Sequence, residues 1–320
     1  MHTFSLTKAI LCTQYQTSTT IMPAQRLDKF KRAAILAVLC EGNGINGICR
    51  MFSVGKNTVL RLIQETGEAC EDWHATHFRN LNVHRLELDE QWGFVQVHRD
   101  RMTPEVKKSN PEWGDAWLQI GIDPDSKAIV AWRTGRRTAS ATLDFARALA
   151  ARISGRVQIC TDLLPSYRLA LPRAFGSRAV HAQEEKQFSP PPSPAFKWIK
   201  AGINPLVGVK RKAVTGKPDL STSTVCHAER WFLNHRQLNR RVTRKTLGHS
   251  KTLQNHTLAA SIHIFAHNMI RRHEAIKTTP AVKLGVATEA WTLERLVDMT
   301  DEYLRRQEDA KFEAAFGNAA

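Results

Sequence analysis

The feature that most narrows the fold is a change of period in the middle of the chain. Residues 85–97, 116–122 and 127–134 read as strands, and helical spacing takes over from Thr138 to Ile153. In that helix Leu143, Ala146, Leu149 and Ala150 share one face. Asp123-Pro124-Asp125-Ser126 makes the turn between the second and third strands. A fourth strand is predicted over 156–161, a short helix over 164–175 and a fifth strand over 177–182. The order β-β-β-α-β-α-β calls for an α/β fold, a mixed sheet with helices on both faces.

Three carboxylates stand where such a sheet can gather them. Asp89 lies within the first strand, Asp162 directly follows the run Val157 to Thr161, and Glu229 opens a basic helical stretch over 225–246. Neighbouring strand ends bring Asp89 and Asp162 within reach of one cation, and a helix packed across them supplies Glu229. An all-oxygen donor set suits Mg²⁺ or Mn²⁺. A two-metal site of this kind is what phosphoryl transfer on nucleic acid needs. Other roles stay open for each acid. Asp162 can cap a helix, Asp89 can face solvent and leave Glu90 as the functional acid, and Glu184 or Glu185 can stand in for Glu229.

Charge points to the partner. With 46 Lys and Arg against 30 Asp and Glu, the formal net charge is +16, a balance expected of a chain that meets a polyanion. Residues 196–246 concentrate it, with twelve Lys and Arg against Asp219 and Glu229. On the predicted helix Glu229, Arg236 and Arg240 fall in one narrow sector, and Arg244 and Lys245 follow. These four basic residues are expected to meet DNA phosphates. The cysteines form no C-x-x-C pair, which suits a reducing compartment. The apolar run Ala33–Cys40 is too short to span a bilayer.

Toward the N-terminus three short helices are predicted: 28–40, 45–52 and 56–68, the last two joined by Ser53-Val54-Gly55. Val59, Leu62 and Ile63 form one face of the last, and Asn57, Arg61 and Gln64 the other. The arrangement is that of a helix-turn-helix whose final helix reads base edges in a major groove. Residues 1–27 are expected to be a disordered segment, 28–70 the DNA-binding unit, 85–285 the catalytic unit and 286–320 a peripheral helix or tail. A Pro-rich basic insertion or loop is expected near 184–222, since Ser189-Pro190-Pro191-Pro192-Ser193-Pro194 cannot continue a helix or an inner strand. His256, His263 and His267 share what reads as a polar face over 253–275, and are expected to be solvated or to face phosphate.

At these residues the chain resembles the DDE transposases of the insertion-sequence-one type, over about residues 30–298. The likeness rests on an ordered set of motifs: Asp89-Glu90-x-Trp92-x-Phe94-Val95, Gly114-Asp115-x-Trp117, Thr161-Asp162 with Tyr167, Glu229-Arg230 with Arg236, and Asn268-x-x-Arg271-x-His273. The resemblance implies a ribonuclease H-like core with Asp89, Asp162 and Glu229 as catalytic and metal-binding acids. It implies metal-dependent cutting at element ends and joining of the 3′ hydroxyl to target DNA by a homo-oligomer on paired ends, in a bacterial cytoplasm at the nucleoid. The partners would be double-stranded DNA of the terminal repeats and of the target. A decayed copy that only binds DNA, or another ribonuclease H-like endonuclease, are the rival readings. The family pattern tends to run Val directly into Glu, whereas Cys226-His227-Ala228 separate Val225 from Glu229 here. Three residues turn a helix by about 300°, which leaves the register of Glu229 as the open question.

Overall fold

The computed structural model describes residues 26–189, 206–243 and 246–316. The expected disordered segment 1–27, apart from its last two residues, and the site residues Arg244 and Lys245 lie outside the described residues. Three helices lead: α1 (Lys29–Cys40), α2 (Ile45–Phe52) and α3 (Lys56–His77). Asp28 starts α1 by accepting the Lys31 N–H at 2.8 Å. Ser53, in the left-handed region at φ 50, ends α2. Then come β1 (Leu81–Asn82), β2 (Arg85–Val95), α4 (Pro104–Ser109), β3 (Gly114–Ile122), β4 (Ile129–Gly135), α5 (Ala139–Ala150), β5 (Ile153–Ser154), β6 (Val157–Thr161) and α6 (Tyr167–Phe175). β7 (Ala179–Phe188), β8 (Leu206–Thr215), α7 (Cys226–Leu238), α8 (Leu253–Phe265), α9 (Pro280–Lys283) and α10 (Leu293–Phe316) complete the described chain.

The main sheet has the order β4-β3-β2-β6-β7-β8. β2, β3 and β4 are antiparallel neighbours, β6 runs parallel to β2 and β7 parallel to β6, so the sheet is mixed. This is the mixed sheet with helices on both faces that the alternation of strands and helices called for. Leu88 and Gly121 face Leu149 of α5. On the opposite face Leu118, Ile120 and Ile122 pack with Ala228, Trp231 and Phe232 of α7 and with Ala260 and Ile264 of α8.

Four expectations change. The segment near 184–222 is not simply a loop, because β7 runs on to Phe188 and pairs antiparallel with β8 along its length. β8 is an exposed edge strand carrying Lys210, Arg211 and Lys212, so it lacks the one-sided apolar alternation that marks a half-buried strand. α7 ends at Leu238 rather than continuing to 246. Asn239 turns extended there (φ −114, ψ 104), and its side chain accepts the Arg241 N–H at 3.1 Å. Arg240 therefore lies beyond the helix, outside the sector shared by Glu229 and Arg236. Finally His256 and His263 are buried, and burial lowers them to about 4 and about 3, with His267 also lowered to about 4 by the same cause. α8 is covered by α3 on one side and the sheet on the other, so past its first turn no face of it is polar and solvated.

α3 extends through His77, past the predicted end, and its second half is core: Thr66, Gly67, Ala69, Cys70 and His74 are buried. Gly67 lets α8 approach, since a Cβ there would lie 2.6 Å from Leu258 Cβ and 2.9 Å from its carbonyl oxygen. Gly67→Val is expected to cost about 1–3 kcal/mol of overpacking, well above the few tenths that Val gains over Gly in helix propensity. Urea denaturation measures this, and an unchanged midpoint would rule out the close α3–α8 packing. The first half of α10 buries Leu296, Val297 and Met299, and Asp301 takes both Arg32 guanidinium nitrogens at 2.6 and 2.7 Å.

Candidate active site

The alternation of β2 decides which acids meet. Glu87, Asp89 and Gln91 point toward α7, where the Gln91 amide nitrogen donates to the Phe232 carbonyl at 3.2 Å and its Oε1 accepts from His235 Nδ1 at 2.6 Å. Leu86 and Leu88 point the other way, into the core under α5 and α6. Leu88 pairs with Thr161, the last residue of β6, in the parallel register, and Asp89 and Asp162 each follow directly in sequence. α7 seats Ala228, Trp231, Phe232 and His235 against the sheet at helical spacing, and this sets Glu229 on the flank toward Asp89.

Asp89 feels the charge of the other two acids. Asp89 is raised from 3.8 to about 7, first by burial and then by the negative charges of Asp162, Glu90 and Glu229, against a hydrogen bond from the Glu90 N–H at 2.8 Å. Asp162 Oδ1 accepts the Leu164 N–H at 2.9 Å in the turn after β6, and α6 begins only at Tyr167 behind Ser166, so Asp162 does not cap that helix. Its side chain is 37% exposed and that of Glu229 is 41% exposed, leaving both open to a ligand.

Two cations sit among these carboxylates. Arg137, which follows β4, lies over the Trp117 ring at 4.6 Å, bonds Glu90 Oε2 at 2.8 Å and reaches Asp162 Oδ2 at 3.8 Å. Lys186 of β7 donates to Glu229 Oε2. Glu90, with a side chain only 1% exposed, is turned toward Arg137 and raised by burial, so it serves the opposite face from Asp89. Glu184 is buried and paired with Arg211 at 3.0 Å. The parity of Leu86-Glu87-Leu88-Asp89 held the signal that Glu87 shares a face with Asp89. No local pattern marks Arg137 or Lys186, whose partners lie on distant elements.

Asn57, Arg61 and Gln64 are exposed on the first turns of α3. Arg61 approaches Glu65 at 3.9 Å and Gln64 donates to Glu68 at 3.1 Å, both within the helix. Arg236 is half-buried on α7, and Arg240 is exposed beside Gly44 and Gly248. No helix among the described residues is long and apolar enough to cross a membrane.

The chain matches no protein-family model and no curated protein. Among solved structures it is similar to a piggyBac transposase synaptic complex with hairpin DNA, at 9% identity over 87% of this chain and 71% of that one, with a TM-score of 0.41. It is also similar to a Mos1 transposase paired-end complex with the left transposon end, at 15% identity over 49% of this chain and 58% of that one, TM-score 0.20. A Mos1 mariner paired-end complex with Mn aligns at 14% identity over the same shares, TM-score 0.19. The chain spans less than two thirds of those Mos1 chains. At these identities no chemistry carries over, and the residues of this chain must supply it.

Proposed function

We propose that the chain is a DNA transposase that binds the ends of its element and uses divalent metal ions to cut and join DNA strands. What supports this reading is Asp89 at the end of the β2–β6 pairing, followed in register by Asp162, and lifted to about 7 first by burial and then by the charges of Asp162, Glu90 and Glu229. A cation relieves that surplus of negative charge, and an oxygen-only donor set fits Mg²⁺ or Mn²⁺. Asp89, Asp162 and Glu229 would hold such ions, which would supply polarisation of the phosphate and activation of the attacking water or 3′ hydroxyl.

The chain's own part is positioning. The Leu164 N–H and Arg137 orient the two Asp162 oxygens, and the packing of Trp231 and Phe232 holds Glu229 against the sheet. Lys186 and Arg137 balance the acids and are placed to turn toward phosphate oxygens. Asn57, Arg61 and Gln64 read base edges at the element ends. Arg236, Arg240, Arg244 and Lys245 hold the backbone of the strand that is cut. Two such chains on paired ends would act together, in the bacterial cytoplasm at the nucleoid.

A second reading, a DNA-binding descendant without catalysis, is favoured by one contact: Lys186 already neutralises Glu229. The experiment incubates the full chain with Mn²⁺, a labelled duplex of the DNA flanking its own gene, and an unrelated plasmid. Label joined to the plasmid with Mn²⁺ and not with chelator is the expected result. Retention of the duplex without any product would move the reading to the binding-only protein. Cleavage without joining would make it a nuclease.

A further inference from the structure

The three residues that interrupt the resemblance, Cys226-His227-Ala228, form the first turn of α7 and meet a buried acid. Glu87, two residues before Asp89 on the same face of β2, has a side chain only 2% exposed. Its Oε2 accepts the His227 and Ala228 N–H groups at 2.7 and 3.1 Å, while Oε1 lies 2.6 Å from His227 Nδ1. Cys226 Sγ lies 3.5 Å from the same Nδ1. One ligand atom from each of Glu87, Cys226 and His227 falls within 4.8 Å of the others.

Sulfur, imidazole nitrogen and carboxylate oxygen together are not the donor set of Mg²⁺. They are that of a borderline-soft cation that accepts four tetrahedral ligands, three from protein and one from water. The positive end of α7 opposes a cation there. Glu87 Oε2 already answers that end through two N–H groups, and its carboxylate with a Cys226 thiolate brings two negative charges to the ion. Cys226 is exposed and His227 half-buried, so the ion has a way in.

We propose that Glu87, Cys226 and His227 form a second metal site, selective for zinc-class divalent cations and separate from the all-oxygen acids. On binding, the Cys226 thiol proton leaves to solvent. The hydrogen bond between Glu87 Oε1 and His227 Nδ1 is exchanged for one metal bond from each, with the imidazole proton held on Nε2. The ion then ties the start of α7 to β2 and locks the register of Glu229 against Asp89. The site does not rest on the transposase reading, because its donors are present whatever the neighbouring acids do.

Cobalt(II) titration of the metal-stripped full chain tests it by absorption, without any activity assay. One cobalt per chain with a thiolate-to-cobalt charge-transfer band, displaced by Zn²⁺ and not by Mg²⁺, is expected. Cys226→Ser, at an exposed position that leaves folding intact by circular dichroism, should lose the band, and His227→Asn should lose the tight cobalt site. Asp162→Asn should keep the spectrum and stoichiometry, which separates this site from the acids. Absence of a thiolate band in the unaltered chain, or its persistence in Cys226→Ser, overturns the proposal.

Discussion

Asp162→Asn is expected to reduce metal-dependent cutting and joining by at least about a thousandfold, the scale of roughly 4 kcal/mol of lost transition-state stabilisation. Asparagine keeps the volume of the side chain and an oxygen that can accept the Leu164 N–H, so the strand end and the turn that follows it stay in place. What it removes is one of the negative charges that raise Asp89. Binding of the end duplex, measured by fluorescence anisotropy, should stay within about threefold of the parent, a difference of under 1 kcal/mol. Product formed by the variant at the parent's rate would take Asp162 out of the site. Loss of both binding and product would instead point to a folding defect, which circular dichroism would reveal.

The metal-free protein should become more stable when Asp89 is changed to Asn, provided the pH is near 8. Asp89 is raised in the folded state from 3.8 to about 7, chiefly by burial. Between those values the folded chain binds more protons than the unfolded one, so stability falls as pH rises from about 4 through about 7 and then levels. The full penalty is present above the folded-state value and absent below about pH 4. Its ceiling is about 4 kcal/mol, and access of solvent and the nearby cations reduce it. Asn carries no charge and escapes the penalty. Thermal melts with chelator should show the variant higher at pH 8, with the two curves converging near pH 4. Mn²⁺ should raise the melting temperature of the parent and leave the variant nearly unmoved. A variant less stable than the parent at pH 8 without metal would contradict a strained, desolvated carboxylate.

The parts of the fold that were legible in sequence are those buried on one side. β2, β3, β4 and β6 carry an apolar face or a continuous apolar run, and α5 places Ala146 and Leu149 at helical spacing, so period alone found them. The positions of the two aspartates were legible for the same reason, since Asp89 lies within β2 and Asp162 directly follows β6. β8 was hidden because both its faces are exposed, and the end of α7 because one extended residue, Asn239, outweighs helical propensity on either side. Histidines of α8 misled because their burial comes from α3 and the sheet, not from their own helix. Arg137 and Lys186 belong to the same class. Their meaning is tertiary, as each becomes a site residue only through a carboxylate far away in the chain.

α3 is one unbroken helix, exposed where Asn57, Arg61 and Gln64 lie and embedded beside α8 from Thr66 onward. If its first turns grip DNA as proposed, the helix is a ruler as well as a reader. Each helical residue adds about 1.5 Å of length and about 100° of rotation. The same rod therefore sets both how far along the duplex, and on which side of it, the acids come to rest. Spacing between the bases that are read and the bond that is broken is then a property of a single stiff element, graduated in residues, with no hinge in between to blur the measurement.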